Sequence, residues 1–89
     1  MALKIIGQSD GDDVARQLRE RIEAAVENAE VRVLAQSAGH FVVRVVSAVF
    51  EDKSLVQRQQ LVYAAIAPLM SGDAPPVHAI DRMETATPA

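Results

Sequence analysis

The sequence predicts an α+β domain in which helices cover one face of a small mixed sheet. Three observations carry that expectation. Residues 12 to 28 repeat their apolar positions with a helical period. Residues 31–36 and 40–49 are two apolar, Val-rich runs joined by three residues, the pattern of an antiparallel hairpin. A second helical stretch and a last alternating run follow, so the order is helix, strand, strand, helical region, strand. Such a chain adds its third strand to the hairpin's sheet and buries the helices' apolar stripes against one face.

The bulk properties agree with this class. Eighty-nine residues suit one domain over residues 1–89, with residues 1–8 as a flexible leader and 86–89 as a tail. Hydrophobic residues make up 49% against 24% charged, a balance that favours a folded chain. Phe41, Phe50 and Tyr63 are the only aromatics, so the core is built from Val, Leu, Ile and Ala. The formal net charge of −3 lacks the basic balance of a dedicated nucleic-acid binder. There is no cysteine, which excludes disulfides, thiolate zinc sites and a self-contained Cys-ligated cluster. No run approaches the roughly 18 apolar residues of a membrane span, and residues 1–7 are too poor in apolar side chains for a signal-peptide core. The expectation is a cytoplasmic protein without membrane contact.

Each element has a local reason. Ser9-Asp10-Gly11-Asp12-Asp13 reads as a helix start, with capping side chains and negative charge at the positive end of the dipole. Val14, Leu18, Ile22, Ala25 and Val26 then form one stripe, and Asn28 is an end signal. Ser37-Ala38-Gly39 is the hairpin turn. In the second strand Phe41, Val43 and Val45 share one wholly apolar face, which belongs under the helices; Val42, Arg44 and Val46 share the other. After the loop Phe50-Glu51-Asp52-Lys53, Ser54 is an N-cap for a region carried by Leu55, Val56, Leu61, Val62, Ala65, Ile66 and Leu69 to about Met70. Pro68 loosens its last turn. Residues 71–76 (SGDAPP) are a turn-rich linker, and residues 77–85 alternate as the third strand.

Few residues suit chemistry. His78 opens the third strand after a Pro-Pro turn, where a neutral imidazole suits iron or zinc and a partner has access; a lone histidine on sequence alone is more often a surface residue. His40 lies between Gly39 and Phe41, either as a second imidazole facing the same partner or as a strand-edge residue at the turn. Two imidazoles are too few for a metal site of the chain's own. Lys53 and Arg58 flank the second helical region, where a helix-turn-helix reader contacts phosphates, but Glu51 and Asp52 sit beside them. No G-x-x-G occurs, so the loop with which KH domains clamp a nucleic-acid backbone is missing. Asp12, Asp13, Glu20, Glu23 and Glu27 read as the solvated face of a helix. Ser47, Ser54 and Ser71 have no readable His–Asp companions, so no enzyme is expected.

Taken together the motifs resemble the BolA family. His40-Phe41-Val42-Val43 with Val45-Val46-Ser47 resembles its second strand. Phe50-Glu51-Asp52-Lys53-Ser54-Leu55-Val56-Gln57-Arg58 resembles F-x-G-x-S-x-x-x-R/K, continued by Leu61-Val62-Tyr63. Val77-His78-Ala79-Ile80 resembles I/V-H-A-L, and Thr85-Ala86-Thr87-Pro88 resembles T-x-T-P. The match runs in order over roughly residues 12 to 88.

The resemblance implies an αββααβ fold akin to the type II KH topology. It implies a partner, a monothiol glutaredoxin with a CGFS motif, and a 2Fe–2S cluster held only in that complex, with glutathione. His78 would be the family's cluster ligand; His40, as read above, is the candidate for a second. The implied role is iron–sulfur trafficking or iron and stress regulation, the protein alone being a monomer or homodimer. The rival reading is a DNA-binding regulator that uses residues 54–70, with Lys53 and Arg58 as weak contacts. The sequence also departs from the pattern. Asp52 replaces the usual glycine, Gln59-Gln60 stands where many relatives have His-Arg and is closer to the short-loop IbaG branch, and Ser37, a poor iron ligand, occupies a position where some relatives have Cys.

Overall fold

The computed structural model describes residues 6–89, with side chains from residue 11 onward. Helix α1 spans Ile6–Ala25, strand β1 Glu30–Ser37 and strand β2 His40–Val46. A single 3-10 turn, Ala48–Phe50, leads into helix α2, Leu55–Ile66. A second 3-10 turn, Ala67–Leu69, precedes strand β3, Ala79–Ala86. The order is therefore the expected one, with the helical region between β2 and β3 made of one α-helix and a single 3-10 turn on either side of it.

The sheet is mixed, in the order β1-β2-β3. β1 and β2 form the antiparallel hairpin, with Val31 opposite Val45 and Val33 opposite Val43. β3 returns beside β2 in parallel, as the helical crossover between them requires. One face of β2 is sealed: Phe41, Val43 and Val45 are buried together with Leu18, Ile22 and Val26 of α1, Val62 and Ile66 of α2, and Phe50. On the other face Arg44 is exposed and paired at 3.4 Å with Glu84 of β3, as the strand alternation predicts.

The differences from expectation have local causes. Helix α1 begins at Ile6 and runs through Gly11, so Asp12 and Asp13 lie inside the helix. Residues 6–8 of the expected leader are thus helical; the rest of the leader lies outside the described residues. α1 ends at Ala25, which is exposed, and Asn28 reverses the chain in the left-handed region (φ 52°). β2 stops at Val46, not Val49, because Ser47 is a cap: its Oγ accepts from the Val49 N–H at 3.2 Å and starts the 3-10 turn. In α2 Ser54 and Gln57 form a reciprocal capping box, and Pro68 occupies the 3-10 turn that ends the region. β3 starts at Ala79, two residues later than expected, because Val77 and His78 still belong to the approach to the sheet. Among the described residues, no helix is long and apolar enough to cross a membrane.

Candidate functional site

The two histidines of the chain meet at one end of the sheet. The hairpin turn places Gly39 in the left-handed region at φ 77°, a conformation that glycine adopts without strain. The Gly39 carbonyl then accepts two backbone hydrogen bonds from the approach to β3, one from His78 N–H at 2.8 Å and one from Ala79 N–H at 3.1 Å. This clip brings His78 over the turn. A Cβ on Gly39 would lie 2.7 Å from Cγ and Nδ1 of the His78 ring, so the missing side chain is the space in which the ring rests.

His40 is the first residue of β2 and pairs with Ser37 across the hairpin and with Ala79 of β3. Its ring centroid lies 6.3 Å from that of His78, with the planes at 79°. His78 is exposed and His40 half-buried. His40 Nδ1 lies 2.9 Å from Asp81 Oδ1. A carboxylate only accepts, so Nδ1–H donates and Nε2 is the nitrogen left without a proton on the neutral ring. The residues that make this end a site, Gly39 and Asp81, were not singled out in the sequence. Gly39 carried a signal in the turn pattern; Asp81 carried none, since its place beside His40 depends on strand register.

Among the described residues, no three His, Asp or Glu side chains come together as a metal cage. A cavity of about 950 Å³ opens between α1 and the hairpin turn, where Asp13, Gln17, Ser37, Gly39, Phe41 and Pro76 are among its walls; neither histidine lines it. The acidic residues of α1 serve its own surface, Asp13 and Glu20 on Arg16 and Glu23 on Arg19.

Lys53 and Arg58 lie elsewhere, at the start of α2. Arg58 is turned towards the protein. Its Nε donates to the Phe50 carbonyl at 3.1 Å and the Lys53 carbonyl at 3.0 Å, and its guanidinium carbon stands 5.7 Å from the centroid of the Phe50 ring. It closes the loop before α2 as well as carrying charge.

Comparison with known proteins agrees with the fold. A family model described as "BolA-like protein" matches residues 15–89. A search of the curated proteins finds no match. Among solved structures, BolA1 from Arabidopsis thaliana is similar at 29% identity, covering 83% of this chain and 90% of its own, with a TM-score of 0.68. The BolA domain of SufE1 from Arabidopsis thaliana is similar at 32% identity, with coverages of 84% and 92% and a TM-score of 0.68. BolA1 from Mus musculus is 37% identical, with coverages of 84% and 65% and a TM-score of 0.62. With its sequence motifs in order and its fold shared with these structures, the chain belongs to the BolA-like family.

Proposed function

We propose that the protein is a non-catalytic adaptor that docks on a monothiol glutaredoxin and contributes His78 and His40 to a 2Fe–2S cluster shared with that partner. The partner's cysteine and glutathione supply the thiolates, and the role is iron–sulfur trafficking or iron and stress regulation. The observation that carries the reading is the meeting of the chain's two imidazoles at an open sheet end, 6.3 Å apart.

The residues present fit such a group. Two imidazoles held tetrahedrally by one metal at about 2.1 Å would have ring centroids about 5.3 Å apart, so the pair, at 6.3 Å, has to close by about 1 Å to share one iron. A pair of imidazoles in place of two thiolates on one iron is an established cluster ligation and raises the reduction potential. With no cysteine and no group of three His, Asp or Glu side chains placed to hold a metal among the described residues, the chain needs a partner's thiolates to complete any such centre. Its own contribution is to hold two neutral donors at a fixed separation: Gly39 seats His78, and the strand pairing seats His40. The cluster, when bound, supplies the redox and iron chemistry.

The nucleic-acid reading has less support. Arg58 Nε is occupied by two carbonyls, Glu51 and Asp52 are exposed beside Lys53, and affinity for a phosphate backbone grows with the number of cations available. The test is co-expression with the host's CGFS glutaredoxin and a visible spectrum of the co-purified complex. The expected result is a coloured complex and a colourless isolated chain. A complex that forms without visible absorption, after anaerobic reconstitution with iron, sulfide and glutathione, would refute the shared cluster.

A further inference from the structure

Strand β3 departs from regular pairing at one residue. Its partners along β2 run His40 with Ala79, Phe41 with Ile80, then Val42 with Arg82, so Asp81 is the extra residue of a bulge. Bulges are rare in parallel pairs, and near functional sites they re-aim a side chain. The bulge has a consequence for packing. Side chains alternate along a strand, so Ile80 and Arg82 would otherwise share the core face. With the bulge, Ile80 and Met83 both pack on the core, while the Arg82 side chain is 70% exposed. Asp81 is thereby set beside the first residue of β2, with Oδ1 2.9 Å from His40 Nδ1.

Metal-binding histidines characteristically donate their second N–H to a carboxylate, which fixes the tautomer and the ring orientation. We infer that Asp81 is the positioning residue of this site: it holds His40 with Nδ1–H inward and Nε2 bare, ready to ligate a centre shared with a partner. The inference rests on the reading that the two histidines face such a centre. Both side chains of the pair are about 40% exposed, and an exposed pair adds little stability. Its effect is therefore on orientation, and the bulge is the device that supplies it.

The test has two arms. In the apo protein with 15N-labelled histidine, long-range 1H–15N correlation at alkaline pH reads each tautomer directly. The expected result is one Nδ1–H tautomer for His40 in the wild type, a mixture in Asp81→Ala, partial recovery in Asp81→Glu, and an unmoved His78. In the reconstituted complex with glutaredoxin and glutathione, Asp81→Ala is expected to shorten the cluster lifetime about tenfold and to alter the visible circular dichroism. The apo proteins should still associate, and the unfolding midpoint should stay put. If His78→Ala abolishes the spectrum while Asp81→Ala changes neither tautomer nor lifetime, the inference falls and the shared centre stands. If His40→Ala and His78→Ala both leave the holo spectrum unchanged, the shared centre fails and takes the inference with it, whatever the tautomer does.

Discussion

The two ends of strand β2 are built on opposite principles. At its C-terminal end the hydroxyl of Ser47 turns inward and is satisfied. Ser47 is buried, its Oγ donates to the Glu27 carbonyl at 2.8 Å and accepts from Val49 N–H, and its own N–H donates to the Ala86 carbonyl at 2.9 Å. Phe50, whose N–H donates to the Ser47 carbonyl at 3.1 Å, is fully buried. At the N-terminal end the backbone is clipped just as firmly through the Gly39 carbonyl, yet of the two imidazoles there His78 is exposed and His40 engages only its Nδ1, with Asp81. Satisfied polar groups at one end contribute to stability. On the proposed reading, donors placed at the other with a nitrogen to spare are what a shared centre needs.

Mutations at the closed end are expected to break the fold, and those at the open end to spare it. The largest effect is expected for Phe50→Ala, which removes a fully buried ring from a small core and should cost about 3–4 kcal/mol. Against a total stability of about 5–15 kcal/mol for a domain, urea denaturation would show it at once. A midpoint near the wild type would mean that the C-terminal end is not sealed. Ser47→Ala comes next. It leaves the Glu27 carbonyl and the Val49 N–H without their partner in a partly buried setting and should cost about 1 kcal/mol, read by the same denaturation.

The same contrast explains what was legible in the sequence. The closed regions obey periodicity. The Leu18, Ile22 and Val26 stripe, the Phe41, Val43 and Val45 face and the Ser54 cap are local patterns with local causes, and the structure keeps them. The start of α1 was not legible because Ser9, Asp10, Asp12 and Asp13 are good caps that the helix passes through instead. The end of β2 was missed because Ser47 in an apolar run has the look of a strand residue until its Oγ finds Val49 N–H. The histidines were visible as residue types. Their meeting, the seat of His78 on Gly39 and the partnership of His40 with Asp81 depend on pairing between segments some forty residues apart, and on a bulge that breaks the period-two rule.

Gly39→Ala is the exception at the open end, since it touches both backbone and site. Alanine at φ 77° is strained, and its Cβ would meet the His78 ring at 2.7 Å; the expected cost is about 1–2 kcal/mol. The ring must also leave its seat. The glutaredoxin complex of this variant should therefore lose its cluster faster than its stability loss alone would explain. Equal cluster lifetimes in wild type and variant would show that the seat is irrelevant to binding.

The smallest effect on the fold, and the largest on function, is expected at His78. Its side chain is exposed, and the bonds that hold this segment run through backbone atoms, His78 N–H to the Gly39 carbonyl among them. Replacing the ring by a methyl group leaves those bonds in place, so His78→Ala should shift stability by less than about 0.5 kcal/mol. On the proposed reading the same change removes an iron ligand and abolishes or alters the visible absorption and circular dichroism of the complex. His40→Ala should do less, because one imidazole is retained at His78, though the contact with Asp81 is lost. The ordering of the two variants is informative in itself. If His40→Ala proves the more damaging while His78→Ala leaves the holo spectrum intact, the ligand is the histidine oriented by Asp81, and the open end of β2 binds through its strand and not through the approach to β3.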